Sequence, residues 1–138
     1  MGTLIDTSVL IEVERGRLSL EAFIDAQGDD EAAMAAVTAA ELLHGVHRIA
    51  GSARAARAEA FVEGLIALLP VVPFDLAEAR AHARLSADLH ARGTAVGAHD
   101  LLIAATAVAN DMRVATCDVR SFPRIQGLDL VQLAVRKR

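Results

Sequence analysis

Short apolar runs alternate along the chain with longer segments whose apolar residues recur at helical spacing. The clearest helical segment covers residues 54–69, where Phe61, Leu65 and Leu68 follow an i, i+4, i+7 pattern. Alternating strands and helices predict an α/β fold, because parallel strands need crossover helices that cover both faces of the sheet. The predicted strands are residues 2–5, 33–37, 71–72, 113–116 and 128–131, and the predicted helices are residues 7–15, 18–26, 39–49, 54–69, 76–92 and 98–111, with a helical turn at 119–124.

The last long helix, residues 98–111, is apolar almost all round. Such a helix is expected to be buried, and a dimer interface would cover part of it. No repeat, low-complexity tract or Pro/Ser-rich linker interrupts the 138 residues. We therefore expect one domain covering residues 1–138, and a chain of this length buries roughly two-thirds of its unfolded surface.

Cysteine usage and hydropathy bear on the cellular compartment. The single cysteine, Cys117, excludes an internal disulfide and fits a reducing environment. The first residues show no basic segment followed by a long apolar run, so no signal peptide is expected. The longest apolar stretch, residues 101–105, is far too short to cross a bilayer. We expect a cytoplasmic protein with no membrane partner.

Charge and aromatic content restrict how the chain would bind nucleic acid. The formal net charge of −4 argues against broad electrostatic wrapping of a nucleic acid. Aromatic residues make up only 3% of the chain, which argues against a base-stacking platform. A local basic patch and an acidic pocket filled by a cation both remain open. The positive charge is nearly all arginine, with Lys137 the only lysine, and a composition bias would also produce this.

Acidic residues stand near the ends of three predicted strands and at the start of the buried helix. Asp6 follows the first strand, Glu41 lies just beyond the second, and Asp118 follows the fourth. Asp100 begins the helix at 98–111. The carboxyl ends of parallel strands share one edge of a sheet, where ligands bind. We therefore expect the three strand-end acids near that edge, joined by Asp100 if its helix starts there.

Each of these acids also has a purely structural interpretation. Asp6 is a suitable N-cap for the first helix, and Thr38 with Glu41 matches a capping box. Asp100 lies in a first helical turn, where it favours the helix dipole. Asp118 is a suitable cap for the helical turn that follows it.

Convergence of the four acids would require charge compensation. Two carboxylates about 4 Å apart repel by roughly 4 kcal/mol at an effective dielectric constant of about 20. A hard divalent cation relieves this repulsion, and Mg²⁺ prefers carboxylates together with retained water. Such an ion can activate a water molecule and offset charge on a phosphoryl group. The pattern therefore indicates phosphodiester hydrolysis.

Four segments in this order resemble the motifs of the PIN-domain ribonucleases, and most closely those of the VapC toxins of toxin–antitoxin pairs. The matching segments are LIDTSVLI, VTAAELLHGV, VGAHDLLIAATA and VATCDVRSFPRIQGLDL, which contain Asp6, Glu41, Asp100 and Asp118 respectively. They span almost the whole chain, to about position 130.

This resemblance implies a three-layer α/β/α sandwich with a five-stranded parallel sheet. It implies an endoribonuclease that depends on Mg²⁺ or Mn²⁺, with Asp6, Glu41, Asp100 and Asp118 as the acidic metal site. It also implies supporting hydroxyl residues beside that site, namely Thr7, Ser8 and Thr116. Structured RNA, such as transfer or ribosomal RNA, is the expected substrate. A cognate antitoxin and a homodimer are the expected partners.

The mechanism expected from the resemblance is metal-assisted hydrolysis. Asp6, Asp100 and Asp118 would bind one or two Mg²⁺ ions, and Glu41 would orient the metal or the attacking water. The expected products carry 5′-phosphate and 3′-hydroxyl ends.

Histidines and the cysteine offer other chemistry. Glu41, His44 and His47 lie on roughly one helical face, but a di-iron site would need a second copy of this spacing, and none is present in the sequence. We expect these two histidines, and His99 beside Asp100, to have surface or packing roles, with substrate contact the alternative for His99. Cys117 has no second cysteine with which to bind a soft metal.

Five arginines are candidates for contacts with RNA phosphates near the acidic edge, because guanidinium groups bind phosphate in a bidentate manner. A solvated surface role is the alternative for each. They are Arg15, Arg17, Arg113, Arg120 and Arg124.

Three other functions fit parts of the pattern. A haloacid-dehalogenase-like phosphatase would use Asp6 as nucleophile, but Ser8 stands where its second aspartate belongs and Lys137 is poorly placed as its lysine. A response-regulator receiver would need a phosphorylated aspartate after the third strand and a lysine after the last. A catalytically inert antitoxin-binding module would not require four intact acids.

Overall fold

The computed structural model describes residues 1–135, in which five strands and six α-helices alternate. The elements are β1 (Thr3–Ile5), α1 (Thr7–Glu14), α2 (Leu20–Ala26), β2 (Ala32–Ala35), α3 (Ala36–Arg48), α4 (Ala55–Leu68), β3 (Val71–Val72), α5 (Leu76–Ala91), α6 (Ala98–Ala109), β4 (Arg113–Thr116), a 3₁₀ turn (Phe122–Arg124) and β5 (Leu130–Gln132). The strands pair in parallel in the order β3-β2-β1-β4-β5. The predicted five-stranded parallel sheet is confirmed.

Two apolar clusters cover the two faces of this sheet. Consecutive strand residues point to opposite faces, so Ile5 packs with α1, α2, α3 and α4 while Leu4 packs with α6, the 3₁₀ turn and part of α5. Both residues are fully buried. The sheet therefore forms the middle layer of the predicted three-layer sandwich, with helices on both sides.

The strand register brings the ends of β1 and β4 together. Ile5 pairs with Ala115, and the backbone N–H of Asp6 donates to the carbonyl of Ala115 at 3.0 Å. The chain leaves β1 at Asp6 and leaves β4 after Thr116 on the same edge of the sheet. Residues that follow these two strands are therefore held close together by backbone pairing alone.

Strand β2 ends two residues before the end predicted for it, and helix α3 begins directly after it. β2 ends at Ala35, which occupies the N-cap position of α3 without a side-chain hydrogen bond. Thr38 lies inside the helix, fully buried, and its hydroxyl lies 3.3 Å from that of Thr7. The predicted capping box of Thr38 and Glu41 is therefore wrong, and Glu41 is free of that role.

Helix α6 is buried by the chain itself. Six of its residues are buried between α5 and the sheet, so its apolar character does not require a dimer interface. None of the helices in residues 1–135 has the length and hydropathy needed to span a membrane.

Candidate active site

Asp6 connects the end of β1 to the start of α1. Its backbone is extended and its carboxylate accepts the N–H of Val9 at 3.2 Å, so it is the N-cap that the sequence indicated. The same carboxylate accepts the hydroxyls of Ser8 and Thr116, each at 2.6 Å. Only 2% of Asp6 is exposed. The capping role and a place in the acidic site therefore coexist.

Two hydroxyl groups connect Asp6 to the loop after β4. Thr116 donates to Asp6 and accepts the backbone N–H of Asp118 at 2.8 Å. Ser8 donates to Asp6 and accepts the backbone N–H of Cys117 at 3.0 Å. Each hydroxyl thus uses its donor and its acceptor, which fixes the loop that carries Asp118.

Asp118 closes a turn rather than capping a helix. Its carboxylate accepts the backbone N–H of Arg120 at 2.7 Å and that of Ser121 at 3.4 Å. The 3₁₀ turn starts only at Phe122, with Ser121 at its N-cap position. Asp118 therefore does not cap the helical turn that follows it, as one interpretation of the sequence held, and instead closes a turn with its side chain.

Asp100 lies in the first turn of α6 and close to two other acids. Partial burial raises the pKa of its carboxyl above the ordinary value. The Ser121 side chain opposes this pKa shift, whereas the negative charges of Asp118 and Glu41 add to it. Like charges raise a carboxyl pKa only at short range. The charges of Asp118 and Glu41 therefore act on the carboxyl of Asp100.

Glu41 is fixed by a different helix at each of its oxygens. Its Oε1 accepts the hydroxyl of Thr7 at 2.7 Å, at the start of α1. Its Oε2 lies 3.1 Å from Nδ1 of His99, at the start of α6. His99 is 60% exposed, as expected, but it also contacts the site, which the sequence reasoning missed. The only signal in the sequence was its position next to Asp100.

Burial also raises the pKa of Asp6, against the opposing hydrogen bonds from Ser8, Thr116 and Val9. The pKa of Cys117 is raised too, by burial and then by the charges of Asp6 and Glu12. Its thiol is therefore disfavoured as a thiolate ligand for a soft metal.

The donor set fits a hard cation. Carboxylate and hydroxyl oxygens are the ligands of Mg²⁺, which usually keeps several waters and uses only one or two protein carboxylates. Across residues 1–135, no group of three or more His, Cys, Asp or Glu side chains is arranged so that it could hold a metal ion. Two of the acids instead hold neighbouring hydroxyls, Asp6 those of Ser8 and Thr116 and Glu41 that of Thr7. The site is thus an open acidic edge.

The candidate arginines are spread over several places. Arg15 and Arg17 lie near Glu12, at 3.5 and 3.4 Å respectively. Arg120 is exposed beside Asp118, and Arg124 donates to the carbonyl of Ala95 at 2.9 Å.

Arg113 does not lie at the acidic edge. It begins β4, where it pairs in register with Thr3 at the amino-terminal edge of the sheet. Its guanidinium lies 3.1 Å from the carboxylate of Asp30. The prediction that Arg113 lies beside the acidic site is wrong, because Arg113 begins β4 and the acidic site lies at the other end of that strand.

A PIN-domain family model matches residues 3–128. Ribonuclease VapC1 of Rickettsia felis is 34% identical over 134 residues, covering 97% of this chain and 98% of that protein. The tRNA(fMet)-specific endonuclease VapC of Salmonella typhimurium is 34% identical over 95 residues, covering 69% of this chain and 70% of that protein. The crystal structure of DNA-bound VapBC from Salmonella typhimurium superposes with a TM-score of 0.85 at 26% identity, covering 96% of this chain and 98% of that chain.

These matches exclude the phosphatase and response-regulator interpretations of the sequence. Lys137, which the phosphatase would have needed, lies outside the described residues. PIN-domain nucleases generally depend on divalent metal ions. The match covers β1 to the loop before β5 and so includes all four acids. The chain therefore belongs to the PIN-domain family and, within it, to the VapC ribonucleases of toxin–antitoxin systems.

Proposed function

We propose that this ribonuclease cleaves structured RNA with Mg²⁺ or Mn²⁺ held at Asp6, Asp100 and Asp118, with Glu41 as the fourth acid. The observation that carries the proposal is the link that Thr116 makes between Asp6 and the backbone of Asp118, and the charges of Asp118 and Glu41, which raise the pKa of Asp100, add support to it. Ions bound there would lower the pKa of a water molecule and offset charge on the scissile phosphate.

The chain's own residues prepare this region for hydrolysis. Thr116 and Ser8 hold both oxygens of Asp6 in place. Glu41, which contacts Thr7 and His99, would orient the attacking water. Attack by water in line with the leaving 3′-oxygen would give 5′-phosphate and 3′-hydroxyl ends.

Transfer RNA is the first substrate to test, because the Salmonella typhimurium relative is named a tRNA(fMet)-specific endonuclease. Purified protein is incubated with total transfer RNA, with and without Mg²⁺ or Mn²⁺, and the new ends are mapped. We expect cleavage that is lost with excess chelator. Ends bearing 2′,3′-cyclic phosphate would refute the water mechanism.

We predict that Asp100→Asn folds normally and loses at least about a hundredfold in cleavage rate, because an amide cannot replace a charged metal ligand. The matched control is Asp25→Asn, which makes the same change at an exposed position of α2. Circular dichroism checks folding, and isothermal titration with Mn²⁺ checks metal binding. Full activity of Asp100→Asn would refute the metal assignment.

We further propose that a cognate antitoxin binds an apolar groove between α1 and α2. The groove has a volume of about 300 Å³, and its walls include Val9, Val13, Leu18, Phe23 and Leu133. Such a surface suits the apolar face of a partner helix. The VapBC structure from Salmonella typhimurium that this chain matches was solved bound to DNA, which supports a toxin–antitoxin complex for this chain.

We predict that Ala22→Glu, on the wall of this groove, weakens antitoxin binding at least about tenfold while RNA cleavage persists, because the new carboxylate would be buried unpaired in the complex. Ala83→Glu, exposed on α5 in the other helical layer, is the control. Co-purification with tagged antitoxin and protection of RNA by it provide the measurements. Equal antitoxin binding by both variants would show that the antitoxin does not bind in this groove.

A further inference from the structure

A second groove runs from the acidic edge along helix α3. It has a volume of about 330 Å³ and lies between α1, α3 and α4. Thr7 and Glu41 of the acidic site form one end of it. Gly45 and Arg48 of α3 line it farther along. The groove is therefore continuous with the acidic site and extends past it.

Gly45 has no structural requirement for glycine. It lies inside α3, where glycine is less favourable than alanine, and its φ is not positive. A β-carbon built there meets no atom within 4 Å in residues 1–135. Neither packing nor backbone conformation excludes a side chain. Because Gly45 has no side chain, it leaves space in the groove between Glu41 and Arg48, as expected where a ligand approaches the backbone closely.

Arg48 supplies an available positive charge in the same groove. It is exposed, and within residues 1–135 its guanidinium takes part in no side-chain hydrogen bond or ion pair. Arg15, on the opposite wall, is already 3.5 Å from Glu12. Glu14 and Glu41 also line the groove, and Arg15 is paired with Glu12, so Arg48 is the arginine of the groove that has no ion-pair partner within residues 1–135.

The spacing along α3 suits a single continuous ligand. Seven residues separate Glu41 from Arg48, which corresponds to about 10 Å along an α-helix. Both residues line the groove, and Gly45 lies between them. A chain that carries regularly spaced negative groups would place one group at the acidic site and another at Arg48.

We propose that this groove binds the RNA backbone next to the scissile bond, with Arg48 on a phosphate and Gly45 giving the strand room against α3. The inference rests on the proposed ribonuclease function and adds a substrate-binding site to it. The phosphate at Arg48 positions the RNA and takes no part in bond cleavage. Guanidinium groups bind phosphate through charge-assisted, bidentate hydrogen bonds.

The first test measures the affinity for a fluorescein-labelled transfer RNA in the presence of chelator, so that no cleavage interferes. Arg48→Ala is expected to bind about tenfold more weakly. Its plot of log affinity against log salt concentration should be shallower by about 0.7, the value for one phosphate contact on a single strand. Arg48→Lys keeps the charge and should keep the slope. Arg84→Ala removes an equally exposed arginine from α5, in the other helical layer, and should change neither quantity.

The second test uses two matched glycine variants. Gly45→Ala and Gly64→Ala each replace a glycine inside a helix with open space around it, in α3 and α4 respectively. Both should raise the melting temperature by roughly 2–5 °C. Only Gly45→Ala should weaken RNA binding, because only Gly45 lines the groove.

Two outcomes overturn the proposal. One is wild-type RNA affinity in both Arg48→Ala and Gly45→Ala. The other is a loss of antitoxin binding in these variants with RNA affinity unchanged, which would make the groove a protein-binding surface. Cleavage by the wild-type protein is assayed in parallel. If the wild-type protein cleaves RNA and both variants bind RNA as the wild type does, the RNA-binding role of the groove is refuted and the ribonuclease function stands. If the variants bind RNA more weakly but the wild-type protein cleaves no RNA, the ribonuclease mechanism is refuted and the RNA-binding role of the groove stands.

Discussion

At the scale of single residues, the hydroxyl of Thr116 connects Asp6 and Asp118, the two acids of the site that lie farthest apart in sequence. It donates to Asp6 and accepts the backbone N–H of Asp118 in a fully buried position. Sequence position predicted the acids, because each stands near the end of a strand or the start of a helix. It did not predict which hydroxyl or imidazole holds each acid, since those contacts join residues up to 110 positions apart.

We predict that Thr116→Val lowers RNA cleavage at least about tenfold and destabilises the protein by roughly 1–3 kcal/mol, because Asp6 loses a buried donor and the Asp118 N–H loses its acceptor. Thr106→Val is the control: Thr106 is equally buried, but its hydroxyl bonds only the Leu102 carbonyl of its own helix. Urea unfolding and cleavage rates are measured for both. Equal loss of activity in the two variants would show that Thr116 acts only through stability.

At the scale of secondary-structure elements, the alternation of strands and helices was predictable and the boundary between β2 and α3 was not. The segment 36–37 continues an apolar run, so its pattern fits a strand or a helix. Tertiary packing decides in favour of the helix, which buries Thr38 beside Thr7. A glutamate that does make the capping-box contact lies at the start of α5, where Glu78 accepts the N–H of Asp75 at 2.8 Å.

We predict that Glu78→Gln lowers the free energy of unfolding at pH 7 by about 1 kcal/mol, because it weakens hydrogen bonds to a charged acceptor. The backbone N–H of Asp75, and to a lesser degree the Asn110 amide, hold the pKa of Glu78 below its ordinary value of 4.5, in opposition to burial. A carboxyl whose pKa is lowered by folding contributes stability above its unfolded pKa and loses it as pH falls through the folded pKa.

The difference between wild type and Glu78→Gln should therefore be full at pH 7 and shrink as the pH falls below about 4.5. Urea unfolding at a series of pH values measures it. Glu63→Gln, at an exposed position of α4, controls for a general charge effect. A difference between wild type and Glu78→Gln that stays constant down to pH 3 would contradict this role for Glu78.

At the scale of the whole molecule, an exposed apolar surface lies at one edge of the sheet. β3 is the outermost strand on that side, and Leu68, Val71, Phe74 and Leu76 around it are between 37% and 64% exposed. Clustered exposed apolar residues mark interaction surfaces. We therefore predict that the expected homodimer forms at this surface and not at the buried helix α6.

We predict that the double variant Leu68→Glu with Leu76→Glu is monomeric at micromolar concentration, because four buried carboxylates would face each other across a symmetric interface. Val119→Glu changes a residue that is 66% exposed at a different place and should leave the dimer intact. Multi-angle light scattering gives the mass of each protein. A dimer that persists in the double variant would exclude this surface.

The strand order of the sheet also determines when, during synthesis, the acidic site can form. The acidic site needs both β1 and the loop after β4 that contains Asp118, and β4 enters the sheet directly beside β1 although the two are far apart in sequence. A nascent chain therefore cannot assemble this site until β4 and the loop after it have been synthesised, however early β1 leaves the ribosome.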